Sequence, residues 1–549
     1  MFNLVDEAWI PAQHADGHVA RVSLRTALVY ADELVSLPVE PSTLLPAVLR
    51  QTLLPLMLGA LGAPGTLDEW SVRHAEGRFS ERERKLIDDH LDDQRSAFEL
   101  FDEKWPFAQV GGLEAASGDT KPVSLLIPSV ATGNNVPMFT AFAEAYPFSL
   151  SPQDAALWLL HAHCWDTAAI KTGARGDGQA AKGKTTGNPT GPLGQFGVIV
   201  PAGATLYETL ILNTPVVPDG LSSEDRPQWQ AAESGGPGWE ARAALGLLDA
   251  LTWQSRRIRL IPRETSGGLH VDRVVVCAGD RITAVRTEFE WHTAWTYTAK
   301  PKKGQAPLRP RRHRSGEHAW QGLATLLALG REEDGDGPRT SGLLQQIGKL
   351  ETSGRVPPGL PLQLHTCGLV YGNQSAIVDD ALADSLPLPV AALAADSRTR
   401  TAVLDAVEQA DQTAQALNRL SADLRRAEGA EPVAWDKGQR PSVTFLQAVD
   451  VPMRRLLRGL QQASTDEERI EQGMEAWEQI LSRLAWVTAH ELLAAASPVS
   501  FLGRQKDGRT FRAALAMRSF GRTLNEILTR EAQARQARSD ATESAEDEA

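Results

Sequence analysis

The chain has 549 residues, 42% hydrophobic and 23% charged, the balance of a globular protein with a sizeable core and two or more domains. Its net charge of −13 excludes a global basic field, so any nucleic-acid contact has to be local or supported by partners. The three cysteines, Cys164, Cys277 and Cys367, form no C-x-x-C pair, which argues against a disulfide framework and a four-thiolate zinc site.

The opening MFNLVDEAWIP has no basic region followed by an apolar stretch, so no signal peptide is expected and the cytoplasm is the expected compartment. Residues 2 to 24 alternate apolar and polar around Ala15-Asp16-Gly17, the pattern of a strand–turn–strand hairpin. His14 and His18 read as turn residues, because Gly17 and the missing Glu do not suit a helical zinc pair. Leu44 to Leu61 reads as a buried helical segment kinked at proline; Pro46, Arg50, Gln51 and Pro55 make it too polar and short to span a bilayer. Residues 102 to 112 are aromatic and loop-like, and the apolar Val123–Val130 precedes a polar turn with Asn134 and Asn135, then Phe139. Residues 153 to 170 form a helix carrying His161, His163, Cys164 and Asp166. Positions 161, 163 and 164 share no helical face, so a packed helix is expected rather than a metal site.

The run Ile170 to Gly197 is dense in Gly, Lys and Thr and has almost nothing to bury. It cannot form a helix interior or a central strand. It can bring bare backbone N–H groups and lysines to a phosphate or a base edge, and a nucleic-acid loop is the expectation. Within it, Gly178 to Thr185 matches the nucleotide-binding pattern G-x-x-x-x-G-K-[ST]. That motif needs a strand before it and a helix after it. Here the preceding residues look helical and Thr186–Gly194 cannot start a useful helix, so an ATP site through Lys184 is only the alternative.

Gly197 to Asn213 alternates like strands, and residues 214 to 240 form a Pro/Gly/Ser-rich insertion. From Arg256 to Trp295 strand character returns, with Phe289, Trp291, Trp295 and Tyr297 placed to share one strand face. Lys300 to Arg314 then holds seven Lys or Arg in fifteen residues, including Lys300, Lys302 and Lys303. Such a cluster binds phosphates by releasing counterions. Tyr371-Gly-Asn-Gln-Ser375 is a small amide-bearing tip that can set a planar group against bases. Beyond residue 388 the apolar positions recur at helical spacing. Ser464-Thr-Asp-Glu467 reads as a capping box, followed by Ile470, Met474, Trp477, Leu481 and Leu484. Four amphipathic segments bury best as a four-helix bundle, and the acidic 540–549 is expected to be disordered. The fold expected is therefore α+β: a mixed N-terminal domain over 1–385 with short sheets and helices, a four-helix bundle over 386–535, and an acidic tail over 536–549.

The chain resembles a known family, CasA, the large subunit of the type I-E CRISPR surveillance complex Cascade. The likeness rests on Asn3-Leu-Val-Asp-Glu-Ala-Trp-Ile-Pro11, on Val22-Ser-Leu-Arg25, on Lys171-Thr-Gly-Ala-Arg-Gly-Asp177 with Gly183–Gly194, and on Gly372-Asn-Gln-Ser-Ala-Ile377. It implies a non-enzymatic DNA reader. The cysteine zinc cluster of some relatives is absent here, with only Cys277 remaining, so no metal is carried over, and no cofactor is expected. Such a subunit recognises the protospacer-adjacent motif from the minor groove, begins unwinding, and recruits a helicase–nuclease alongside the other Cascade subunits and the CRISPR RNA. By the same resemblance Asn373 and Gln374 match the wedge. Gly187 is the glycine-loop contact, with Gly183 and Gly191 as other registers. Phe139, Asn134 and Asn135 fall where the family's motif-proximal loop lies, and Arg286 aligns loosely with a minor-groove lysine. A P-loop ATPase and a generic nucleic-acid scaffold are the alternatives; no membrane partner is expected.

Overall fold

The computed structural model describes residues 2–130, 132, 148–231, 236–282, 285–303, 306–328, 337–431, 440–506 and 508–547. Phe139, Asn134 and Asn135 lie outside them. The architecture is α+β. By Cα proximity the chain forms two compact units: Met1–Ala319, Ala328–Val356 and Leu362–Ser385 in one, Trp320–Leu327, Pro357–Pro361 and Leu386–Ala549 in the other.

The first unit begins with the hairpin β1 (Ile10–His14) and β2 (Val19–Val22), and β3 (Leu34–Ser36) adds on the other side of β1. Gly17 supplies the positive φ (+87°) of the turn, and the rings of His14 and His18 stack 4.5 Å apart beside it. The apolar segment Leu44–Leu61 is one continuous helix, α1, whose central turn, Leu49–Leu53, is π-helical. The widened turn ends just before Pro55, which has no N–H to donate to residue 51 and whose ring would crowd that carbonyl. A proline kink was expected; the π turn absorbs it. By length and composition this helix could cross a membrane, contrary to expectation, but 78% of it is buried inside the protein. Arg50, 2% exposed, forms a bidentate pair with Glu290 (2.8 and 2.8 Å) and donates to His292 Nδ1 (2.9 Å). Burial, and then the Arg50 charge, hold the His292 imidazole well below its usual range and therefore neutral, able to accept that bond.

One sheet draws its strands from both sides of α2 (Pro152–Trp165) in the sequence. Its spine is the antiparallel hairpin β8 (Arg256–Thr265) and β9 (Gly268–Ala278), with an irregularity between Val271 and Arg273. Across β9 lie β4 (Lys121–Pro122), antiparallel, and β5 (Lys171–Thr172), parallel, which in turn carries β6 (Lys184–Thr185). A second sheet has the order β13 (Ile377–Pro389), β12 (Pro361–Gly372), β7 (Val198–Ala202). The strand expected through Asn213 stops at Ala202. Thr205 accepts from the Glu208 amide and starts the helix Leu206–Leu212. The aromatic stripe does not form either. Only Trp295–Tyr297 is extended, as β10 against β11 (Leu308–Pro310), whereas Phe289 closes a turn and Trp291 Nε1 donates back to Glu288 O.

The second unit is helical. Around α3 (Arg398–Glu428) pack α4 (Pro441–Ala463), α5 (Glu467–Ala495) and α7 (Ala513–Ile527). The expected stripe Val403, Val407, Ala410, Ala414 and Leu417 is buried, as are Ile470, Met474, Trp477 and Leu481, while Leu484 is half-buried. The cap of α5 is Asp466, accepting from Arg469 N, not Ser464, which at φ +58° ends α4. Between α5 and α7 come the short α6 (Val499–Leu502) and a hairpin of β14 (Arg504–Lys506) and β15 (Arg509–Phe511). The last helix, α8 (Thr529–Asp547), runs into the acidic tail that composition assigned to disorder.

Candidate nucleic-acid interface

The glycine-rich run is not a free loop; it is pinned at both ends. α2 starts at Ser151, whose hydroxyl accepts from Asp154 N, and its last turn leads into Asp166. The Asp166 carboxylate meets Lys171 Nζ at 2.6 Å and the Arg256 guanidinium. Burial alone would raise this carboxyl, but the Lys171 and Arg256 charges bring it to about 2, so it stays ionised. Arg256, 1% exposed, also donates through Nη2 to Thr167 O and Pro189 O, both at 2.8 Å. Gly191 N donates to Asp166 O (2.8 Å), and a Cβ at Gly191 would fall 2.4 Å from Cys164 O, so only glycine fits. His161 and His163 of α2 are committed to Thr43 Oγ1 and Ala108 O. Among the described residues no group of three His, Cys, Asp or Glu could hold a metal.

Between the pins, β5 and β6 pair with Lys171 opposite Thr185 and Thr172 opposite Lys184. The chain enters β6 through a tight turn in which Ala181 and Lys184 exchange backbone hydrogen bonds of 2.9 and 3.1 Å. Lys182 (φ +50°) and Gly183 (φ +72°) occupy its two central positions, the signature of a type I′ hairpin. Gly183-Lys184-Thr185 thus sits in a hairpin turn and an edge strand. No helix opens there, so the geometry a P-loop requires is absent and the ATPase alternative is set aside. Lys184 is exposed on that edge.

Gly187 is exposed at φ +67°, and Arg281 holds its two neighbours. Arg281 Nη2 donates to Thr186 O (2.9 Å) and Asn188 Oδ1 (3.2 Å), while its Cζ stacks 3.9 Å from the Trp239 ring centroid. Burial first, then the nearby Arg256 charge, lower the Arg281 pKa. Trp239 is itself tied to the run: its Nε1 donates to Asp177 Oδ2, and its carbonyl accepts from Gln179. Sequence reasoning missed Arg281. Nothing in Ala278-Gly-Asp-Arg281 marks it, and the fold brings it 95 residues to Thr186.

The amide tip joins β12 to β13. Asn373 (φ +29°), Gln374 (+56°) and Ser375 (+59°) are all left-handed, at a cost of roughly 1–2 kcal/mol per residue. Asn373 and Gln374 are exposed. The strained turn is held from below. Tyr371 OH donates to Trp165 O (2.5 Å), Gly194 leaves the space its hydroxyl needs, and Ser375 O accepts from Ala168 N (2.7 Å). One residue on, Ala169 O accepts from Asn188 Nδ2 (3.2 Å), beside Gly187. Residues 165–169 therefore bind the amide tip and the glycine run together.

The basic segment roots at the C-terminal end of the glycine run. Arg312 Nε donates to Gln195 O (3.1 Å), Gly197 N to Arg311 O (2.7 Å), and His313 Nε2 lies 3.1 Å from Val198 O. Lys300, Lys302 and Lys303 stand exposed on the connection between β10 and β11, and none forms an ion pair with a described residue. Arg286 is half-exposed beside Glu288 (3.4 Å) and Phe289. It lines a small apolar pocket with Pro192, Gln195 and Phe196. Thr132, the described residue nearest in sequence to Asn134, Asn135 and Phe139, lines a cavity shared with Trp165, Lys171 and Ala376.

A family model of the CRISPR-associated protein Cse1 matches residues 3–488. Cse1 of Thermobifida fusca is similar at 29% identity with a TM-score of 0.81, and Cse1 of Acidimicrobium ferrooxidans at 29% and 0.78. Each match covers 96% of this chain and 98% of the other. The fold is shared with Thermus thermophilus CasA (Cse1), at 20% identity and a TM-score of 0.66 over 96% of this chain and all of that one. A chain of a CRISPR RNA-guided surveillance complex matches at 18% identity and 0.63, over 90% of this chain and 99% of that one. No curated protein sequence matches.

Proposed function

The chain belongs to the CRISPR-associated Cse1 family, and from that premise we propose that it is the non-catalytic DNA-recognition subunit of a cytoplasmic RNA-guided surveillance complex. In this reading it assembles with the other subunits and the CRISPR RNA, reads a short duplex motif through the minor groove, and helps to recruit a helicase–nuclease. Gly187 offers backbone to the groove floor, with Arg286, Lys184 and Lys300, Lys302 and Lys303 supplying positive charge. Phe139, Asn134 and Asn135 complete the motif-proximal loop. Gln374, with Asn373, enters the stack as the wedge. Minor-groove edges distinguish mainly A·T from G·C, so such a reader is permissive. That suits a complex whose fine specificity comes from guide pairing.

The observation that carries the reading is the shared attachment of the amide tip and the glycine run to residues 165–169. Unstacking a base step costs a few kcal/mol, which a wedge offsets only when another element grips the duplex nearby. The net charge of −13 fits tight DNA binding in the assembly rather than by the lone subunit.

The test is strand opening in the reconstituted complex, followed by 2-aminopurine fluorescence next to the motif. Asn373→Ala with Gln374→Ala should slow opening at least tenfold on intact duplex and leave a pre-opened bubble unaffected. Equal opening rates on intact duplex would overturn the wedge assignment.

A further inference from the structure

We propose that the ridge formed by α6, the β14–β15 hairpin and the outer face of α7 binds single-stranded DNA without sequence preference. Residues 501–525 hold six Lys or Arg (Arg504, Lys506, Arg509, Arg512, Arg518 and Arg522) against one acid, Asp507, in a chain of net charge −13. The stretch therefore inverts the sign of the chain's net charge locally.

The ridge has a rigid base and a free edge. Arg504 belongs to the base: its Nε donates to Arg426 O (2.9 Å) at the C-terminal end of α3, where a cation is favoured by the helix dipole. Phe511 lies opposite Arg504 in the hairpin, half-buried, with the Arg426 guanidinium 5.9 Å from its ring. Gly503 (φ +73°) leads α6 into the hairpin so tightly that a Cβ there would fall 2.3 Å from Phe511 O. The free edge is made of the remaining residues. Arg512 Nε donates to Leu502 O (3.2 Å), which sets that arginine beside the end of α6. Leu515, Arg518 and Arg522 follow at the i, i+3, i+7 spacing of one helical face. Arg509, Arg512, Arg518 and Arg522 are exposed, and none forms an ion pair with a described residue. Phe501 (56% exposed) and Leu502 (77%) complete the edge with apolar surface that the fold leaves uncovered.

Exposed arginines without an ion pair among the described residues, on the same ridge as an exposed aromatic ring, suit a flexible polyanion with π-faces. The cations track the backbone while the ring stacks on bases. Duplex DNA would present phosphates but no free base faces to Phe501. The inference rests on the proposed function only for the source of the strand, which is the one displaced when the guide pairs with its target.

Anisotropy of fluorescein-labelled dT20 with the full-length chain tests it. Replacing Arg509, Arg518 and Arg522 by Gln should weaken binding at least tenfold at low salt. The slope of log affinity against log salt should fall by about 2, at roughly 0.7 per lost phosphate contact. Phe501→Ala, an exposed change that spares the core, should weaken binding about fivefold or more at an unchanged slope. Wild-type affinity in both variants would overturn the proposal. So would tenfold preference for rU20, which would mark an RNA site, or ridge-dependent binding to phosphatidylserine vesicles in place of dT20. Gln374→Ala is expected to bind dT20 like the wild type, so failure of the wedge reading and failure of this one are told apart.

Discussion

The carbonyl of Ser375 accepts the amide hydrogen of Ala168 at 2.7 Å, across 207 positions of sequence. Through that bond a left-handed hairpin tip sits on the chain segment that also receives Asn188 from the glycine run. Gly187, next to Asn188, and the tip residues Asn373 and Gln374 are exposed.

Arg281 is expected to be the residue that keeps Gly187 in shape. Arg281→Ala removes two hydrogen bonds and the stacking partner of Trp239, so Trp239 emission should shift and motif discrimination by the complex should drop about tenfold. Opening of a pre-melted target should be unchanged. Arg281→Lys should not rescue discrimination, because an ammonium has neither the planar stack nor the fork. A lysine variant with full discrimination would refute the positioning role.

Strain at the tip predicts a trade between stability and activity. Gln374→Gly removes the penalty of a side chain at φ +56°, so thermal unfolding should show a gain of about 1 kcal/mol, less some unfolded-state entropy. Strand opening should fall at the same time, since the amide is gone. A glycine variant that is both less stable and fully active would contradict the assignment.

Stability should decline on mild acidification. Burial lowers the His161 imidazole to about 3 and the His163 imidazole to about 4, and His163 Nδ1 is buried without a partner among the described residues. The unfolded chain, titrating near 6.5, binds protons that the native state refuses. Stability is therefore complete above about 6.5 and falls as pH drops toward the folded values. By pH 5 each histidine should contribute a loss on the order of 1–2 kcal/mol. Melting curves from pH 7.5 to 5 should steepen this way in the wild type and flatten in His163→Gln; parallel curves would exclude the histidine as a cause.

Much of this was legible in the residues because it depends on local rules. The Ala15-Asp16-Gly17 turn, the buried stripe of α3 and the inability of the glycine run to form a helix follow from spacing and glycine chemistry. Tertiary context decided the rest. Lys182 and Gly183 make a type I′ turn where the letters spelled a phosphate loop, because β5 already pairs with β9 and offers an edge for β6. Leu44–Leu61 passes for a membrane helix on composition, yet Arg50 inside it is matched by Glu290 from 240 residues away. Arg281 carried no local mark at all; its importance comes from Thr186, Asn188 and Trp239 gathering around it.

The five residues 165–169 work as a mechanical datum. Two recognition elements joined by a flexible tether would have to search for a common target and would lose orientational freedom on finding it. Here the distance between the proposed groove contact and the proposed wedge is fixed when the chain folds. On the proposed function, a duplex engaged by the one would be delivered in phase to the other, and the step at which opening begins would be set by a fixed offset from the gripped base pairs.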